Sequence, residues 1–289
     1  MNFTPKRWTG LGLSAVLLAS CGDSDQAADT APADDTPQAT ADAADRPETT
    51  RPDEFGEAGE GEGGAGEGGE GGEGGIDIAR AASDPVVFRA GLAVVEAHVL
   101  AARDAFAAGR VEAAAEMFAH PVSEVLVDME PVLAQQGVEP FEELLIEASV
   151  QALDGATSEA VAGHAAAILE VLNAAAAKAP DNGASEGAIQ ARVAADQIER
   201  AIQQYQSAAG SEDYEPYLDG YGFYMTAAAI VERSGPLIEA DNARAAAAIV
   251  GALDLLGAAY PGADRPARLD ADQSALLAAG SRVLLALGN

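Results

Sequence analysis

From residue 77 to the C-terminal end, apolar residues recur every three or four positions, which is the period of an amphipathic α-helix. Glycines and prolines interrupt the pattern at intervals, as expected where helices begin and end. No alternation of apolar and polar residues is long enough to predict a strand. The pattern therefore predicts about nine helices, over residues 84–108, 111–119, 121–136, 141–153, 157–179, 187–208, 214–233, 236–257 and 268–287.

These helices predict an all-α domain over residues 76–289, built as a helical bundle. The stretch APDNGASEG, residues 179–187, interrupts the helical pattern near its middle. The sequence is therefore compatible with a single bundle or with two sub-bundles, over residues 84–179 and 184–287.

The stretch FAHPVSE, residues 118–124, places His120 before a proline and Glu124 one helical turn later. The chain has only two other histidines, His98 and His164, and each falls on the apolar face of its predicted helix. Imidazoles and a carboxylate on facing helices suit a first-row transition metal such as Zn, Cu, Fe or Ni. We therefore predict one divalent metal site formed by His98, His120, Glu124 and His164.

Two other interpretations of these residues are open. A histidine on an apolar face can be a hydrogen-bonded core residue, and His120 before Pro121 can cap a helix, with Glu124 facing the helix dipole. A metallohydrolase would need an open coordination position and a general base such as Glu116. No GxSxG or P-loop motif occurs, so we expect no enzymatic activity. The HxxE motif of imelysin-type metal-binding lipoproteins is also absent, because His120 and Glu124 are spaced HxxxE.

A stripe of tyrosines follows a spacing of three, four and three residues along one predicted helix: Tyr214, Tyr217, Tyr221 and Tyr224. The stripe is compatible with core packing, in which the hydroxyls reach carboxylates such as Asp219 or Glu215. Core packing is the favoured interpretation, and a groove for a sugar, a peptide or another polar ligand is the alternative. Gly220 and Gly222 indicate close helix approach or a ligand contact. The alternative function is therefore a metal-free helical scaffold or interaction module with a Tyr-lined groove.

Composition changes sharply before the helical region. Residues 22–52 are rich in Ala, Asp, Thr and Pro, and residues 56–75 contain only Gly, Glu and Ala. Such segments bury too little apolar surface to offset the entropy cost of ordering. We therefore predict a disordered acidic tether that lifts the domain away from its anchor. Weak cation binding by the glutamates is the alternative use of this segment.

The N-terminus combines a basic start at Lys6 and Arg7, a short apolar stretch and the sequence LASC ending at Cys21. This pattern resembles the signal peptide and lipobox of bacterial lipoproteins. The resemblance implies a signal peptide over residues 1–20 and acylation of Cys21, with chains such as palmitate. Gly22 stands where an Asp would imply inner-membrane retention, so the resemblance implies an outer-membrane lipoprotein facing the periplasm.

The charge of the chain restricts its partners. The formal net charge is −31, which repels nucleic acid and anionic lipid headgroups. We therefore expect no nucleic-acid partner. The membrane is contacted through the lipid anchor, and the remaining expected partners are envelope proteins or cationic molecules.

Overall fold

A computed structural model describes residues 75–288, and these residues form α-helices and one π-helical turn without any strand. The all-α prediction is therefore confirmed for this part of the chain. The predicted signal peptide, Cys21 and nearly all of the predicted tether lie outside the described residues. The helices are α1 (Ile78–Ala81), α2 (Pro85–Ala107), α3 (Val111–Pro121), α4 (Val127–Gln135), α5 (Glu142–Leu153), α6 (Ser158–Ala176), α7 (Glu186–Gly210), α8 (Glu215–Asp241), α9 (Ala243–Ala259) and α10 (Gln273–Leu287).

Helix α2 lies at the centre of the domain and packs against α3, α6, α7 and α8. The Asp84 side chain accepts a hydrogen bond from the Val86 backbone N–H, and Pro85 occupies the first turn, where its missing N–H costs nothing. Within the described residues, α2 is the one helix long and apolar enough to cross a membrane, but most of its residues are buried inside the domain. Its apolar character is therefore accounted for by the core.

The most extensive helix contact joins α7 and α8. Helix α8 also packs closely on α2, because Gly222 presents no side chain at their crossing. A Cβ atom at Gly222 would overlap the carbonyl oxygen of Ala97 and lie 3.1 Å from the Cβ atom of Ala101. The glycine therefore sets the distance between α8 and α2.

Helices α3 and α4 form one continuous segment, joined by a π-helical turn at Val122–Leu126. The predicted break at Pro121 is wrong, because this proline lies inside the helix. Proline has no N–H for the α-helical hydrogen-bond ladder, and the wider π-helical turn follows it directly. Phe118 and Leu126 are fully buried on either side of Pro121, so a continuous helix keeps both in the core.

The predicted break before Pro236 is also wrong, since α8 continues through it to Asp241. Ile230 and Ile238 are both buried, so the packing on either side of the proline stabilises a continuous helix. The chain instead breaks at Asn242, whose side chain accepts a hydrogen bond from the Ala245 N–H at the start of α9. The last helix begins at Gln273 and not at residue 268, because Asp272 caps it.

The buried residues form one continuous hydrophobic cluster that includes side chains from α2 through α10. The predicted interruption near residues 179–187 is a loop between α6 and α7. Helix α2 contacts helices on both sides of this loop. It therefore brings side chains from distant parts of the sequence next to His98.

Candidate metal centre

Three parts of the fold bring imidazoles and carboxylates together. Helix α2 contributes His98, and the α3 segment with its π-helical turn contributes His120 and Glu124. One ligand atom from each of these three residues lies within 4.8 Å of the other two. Helix α8 adds Asp219 beside His98 and Glu215 beside His120. We refer to these five residues as the His/carboxylate cluster.

His98 is held in a single orientation inside the core. Its Nδ1–H donates a hydrogen bond of 2.8 Å to the carbonyl oxygen of Val94, which can only accept. The ring also makes an edge-to-face contact with Phe223, at 6.2 Å between ring centroids. With the proton on Nδ1, Nε2 carries a lone pair and faces the carboxylates. A backbone carbonyl that fixes the tautomer in this way is typical of histidines that bind metals.

Burial keeps the imidazole of His98 neutral. The side chain is only about 7% exposed, and loss of solvation lowers its pKa to about 4. The hydrogen bond to Val94 opposes this shift, whereas the positive fields of His120 and Arg200 add to it. Near neutral pH, Nε2 therefore does not have to lose a proton before it binds a cation.

Two carboxylates face the lone pair of His98. Nε2 lies 3.7 Å from Oε2 of Glu124 and 3.8 Å from Oδ1 of Asp219, and neither separation is short enough for a hydrogen bond. In a tetrahedral site with metal–ligand bonds of about 2.1 Å, ligand atoms lie about 3.4 Å apart. Each carboxylate oxygen is thus a few tenths of an ångström farther from Nε2 than in such a site, and the group of mutually close ligand atoms includes Glu124 but not Asp219.

His120 lies toward the outside of the cluster, with its side chain 23% exposed. Its Nδ1 atom is buried and makes no hydrogen bond. This nitrogen lies 3.9 Å from Oε1 of Glu124 and 3.6 Å from Oε1 of Glu215. An unsatisfied buried nitrogen is costly without a partner, and a bound cation would supply one.

The structure brings together three of the four predicted ligands, namely His98, His120 and Glu124. His164 lies on α6, and no group of neighbouring ligand atoms in the described part of the chain includes it. The group therefore contains three of the predicted ligands and not His164. Residue 164 shares the apolar periodicity of α6, but that periodicity does not determine which part of the domain α6 packs against. Glu116, considered as a general base, is exposed on α3 and lies outside the group.

The sequence pattern did not identify Asp219 and Glu215 as metal ligands. They are four residues apart on α8 and so lie on one face of the helix; Glu215 directly follows Tyr214, and Asp219 lies midway between Tyr217 and Tyr221. Like charges at this spacing destabilise an isolated helix, and Asp219 is buried as well. Glu215 is exposed, but a buried carboxylate such as that of Asp219 requires compensation by a cation or by hydrogen bonds. The acidic pair at a four-residue spacing was the signal available in the sequence.

The tyrosine stripe occupies the neighbouring face of α8. Tyr217 and Tyr221 are buried, while Tyr214 and Tyr224 are partly buried against the core. The hydroxyl of Tyr217 donates to the carbonyl oxygen of Gly262 at 2.7 Å, and that of Tyr221 to Asp104 at 2.9 Å. Burial raises the pKa of both hydroxyls. These two side chains pack in the core, and their hydroxyl groups form hydrogen bonds with other residues of the protein.

Glycine residues allow Asp219 to reach the cluster. A Cβ atom at Gly220 would overlap the hydroxyl of Tyr260, and one at Gly222 would overlap the backbone of Ala97. Ala97 immediately precedes His98, so the close crossing of α8 and α2 also sets the separation of His98 and Asp219. Gly222 is therefore explained by close helix approach, and Gly220 by the space that the Tyr260 side chain occupies.

No protein-family model, curated protein or solved structure matches this chain.

Proposed function

We propose that this protein is a lipid-anchored lipoprotein of the cell envelope whose helical domain binds a divalent transition metal. The lipobox-like sequence ending at Cys21 supports the anchor, and the His/carboxylate cluster supports metal binding. The single observation that carries the metal-binding proposal is the orientation of His98. Its lone pair at Nε2 faces two carboxylate side chains at 3.7 and 3.8 Å inside the domain.

The chemistry of the cluster favours a divalent ion of the first transition series. Two imidazoles and three carboxylates supply nitrogen and oxygen donors, without a thiolate. Such donors suit Fe, Mn, Zn or Ni more than the soft copper(I) ion. The carboxylates would also offset the charge of the cation, which a buried site requires.

The test is a metal titration of the full-length chain after treatment with a chelator. Zn²⁺, Ni²⁺, Cu²⁺ and Fe²⁺ are titrated by calorimetry into the wild type, the His120→Ala variant and the His164→Ala variant. We expect saturable binding by the wild type, with an affinity lowered roughly 100-fold or more in His120→Ala, because loss of an outer residue that orients a ligand already costs 10–100-fold.

His164→Ala is the matched control, because it removes an imidazole that lies outside the cluster. It should bind metal as the wild type does. The acidic segment before residue 76 is identical in all three proteins, so its weak binding cancels in the comparison. Equal binding by wild type and His120→Ala would refute the proposed site.

A further inference from the structure

The two carboxylate oxygens of Glu124 face different histidines. Oε2 lies 3.7 Å from Nε2 of His98, and Oε1 lies 3.9 Å from Nδ1 of His120. Each of these nitrogens has a second carboxylate beside it, Asp219 for His98 and Glu215 for His120. The cluster therefore divides into two sets of ligand atoms that share Glu124.

We propose that the His/carboxylate cluster holds two divalent metal ions bridged by the carboxylate of Glu124, an inference that rests on the proposed metal-binding function. The inner set consists of His98 Nε2, Asp219 Oδ1 and Glu124 Oε2. The outer set consists of His120 Nδ1, Glu215 Oε1 and Glu124 Oε1. Each ion receives one imidazole, one carboxylate of its own and one oxygen of the bridge.

The separations between histidine nitrogens and carboxylate oxygens are similar in the two sets. Contacts of the histidine nitrogens with carboxylate oxygens measure 3.7 and 3.8 Å in the inner set and 3.6 and 3.9 Å in the outer set. The two imidazole rings are 6.1 Å apart between centroids and nearly perpendicular. A carboxylate that binds one ion through each oxygen holds the ions about 3.5–4 Å apart in two-metal sites. The spacing of the rings leaves room for such a pair.

The charges of the cluster also favour a second ion. When all three carboxyl groups are ionised they contribute three negative charges, so a single divalent ion would leave these five side chains with a net negative charge. Arg200, whose positive charge acts on His98, is bonded to Asp196 at 3.0 Å. Two divalent ions would leave one positive charge, which a bound hydroxide or another anion neutralises.

The side chains of the two sets differ in solvent exposure, so we expect the two ions to exchange at different rates. The side chains of His98 and Asp219 are both almost completely buried, whereas that of Glu215 is 55% exposed. The inner ion should therefore exchange slowly. The outer ion should exchange faster and keep coordination positions for water or for a small anionic ligand.

A single shared ion is the competing arrangement, since atoms of His98, His120 and Glu124 also lie within 4.8 Å of one another. The two arrangements differ in the role of Glu215. In the single-ion arrangement Glu215 has no necessary ligand role, whereas in the two-ion arrangement it is required for the outer ion only. The number of bound ions in a Glu215 variant therefore distinguishes them.

The experiment measures the metal content of the full-length chain. Stripped wild type, Glu215→Gln and Asp219→Asn are loaded with Mn²⁺, separated from free metal by gel filtration and analysed by mass spectrometry for bound Mn. We expect about two ions per wild-type chain and about one in each variant. Glu212→Gln removes an exposed carboxylate three residues before Glu215 and should retain both ions.

Electron paramagnetic resonance provides a second measurement. Two Mn²⁺ ions that share a carboxylate are magnetically coupled, so the wild type should give the spectrum of a coupled pair. Glu215→Gln should give the spectrum of an isolated ion. Glu215 is exposed, so its replacement should leave folding intact even if Asp219→Asn impairs it.

The outcomes separate this inference from the proposed function. One ion in the wild type, unchanged in Glu215→Gln, would overturn the two-ion inference and leave metal binding in place. Two ions in both of those proteins would overturn it as well, because the second ion would then lie elsewhere. No Mn²⁺ or Zn²⁺ retained by the folded wild type would overturn the proposed function itself.

Discussion

Nε2 of His98 lies 3.8 Å from Oδ1 of Asp219, although the two residues are 121 positions apart in the sequence. Helices α2 and α8 bring them together at a crossing that Gly222 makes close. Both side chains are buried in the core. This relationship joins the packing of the domain to its proposed chemistry.

Metal binding should stabilise the domain. A ligand that binds only the folded state at 100 times its Kd adds about 2.7 kcal/mol to the free energy of unfolding. For a domain of this size we expect Tm to rise by roughly 5–10 °C. The rise should be present in the wild type and His164→Gln but strongly reduced in His98→Gln, as measured by calorimetric melting with and without Zn²⁺. An equal rise in all three proteins would argue against His98 as a ligand.

Acid should destabilise the metal-free domain through His98. Its pKa is lowered from 6.5 to about 4 in the folded state, so the unfolded chain binds the proton first as the pH falls. The stability is fully present above pH 6.5 and is lost as the pH falls toward 4. The loss attributable to His98 is at most about 3 kcal/mol.

The measurement for this acid effect is urea unfolding at several pH values in the presence of a chelator. His98→Gln cannot take up the proton, so its stability should decline less than that of the wild type over this pH window. Parallel pH profiles for the two proteins would contradict the prediction.

Gly222→Ala should separate α8 from α2. The added Cβ atom would overlap the backbone of Ala97, which cannot move without shifting the helix. We expect the free energy of unfolding to fall by about 3 kcal/mol and metal affinity to fall with it, because Asp219 moves away from His98.

The control for this substitution is Gly163→Ala, at an open position within α6. No atom lies within 4 Å of the site of its Cβ, so alanine should stabilise the helix by about 0.5–1 kcal/mol. Denaturation curves and metal titrations of both variants provide the check. If both glycine replacements changed stability alike, the close crossing would not be the cause.

Tyr217→Phe tests the use of the tyrosine stripe. The hydroxyl of Tyr217 bonds to the carbonyl oxygen of Gly262, so its removal should lower the free energy of unfolding by about 1 kcal/mol. Metal content should stay at the wild-type value, because the hydroxyl is bonded outside the cluster. A fall in metal content without a fall in stability would instead assign the tyrosine to the metal site.

The proposed anchor is tested through Cys21 and Trp8. Trp8 is the only tryptophan and lies within the predicted signal peptide, so the processed protein should show no tryptophan emission. In a Gram-negative host we expect the wild type in the membrane fraction, with acyl chains on Cys21 detected by mass spectrometry. Cys21→Ser should lack the acyl chains and, because it is not processed, keep Trp8. Retention of Trp8 in a membrane-free wild-type protein would contradict the proposed anchor.

The sequence alone determined the all-α class, most helix boundaries and the pairing of His120 with Glu124. These are local properties, because helical periodicity, caps and a four-residue spacing act within a few turns of the chain. The two breaks predicted at Pro121 and Pro236 failed because buried residues on both sides of each proline stabilise a continuous helix. Tertiary packing outweighed the local preference of proline there.

Only the tertiary structure decided which acidic residues meet the histidines. Asp219 and Glu215 reach the cluster because α8 crosses α2 closely, whereas His164 on α6 lies outside the group despite a similar apolar environment in the sequence. A helical pattern specifies which face of a helix is buried. It does not specify which helix that face packs against, or at which residues along the partner helix the contact lies. That choice depends on side-chain volumes across the whole core. At Gly222 the absence of a side chain allows α8 to cross α2 closely.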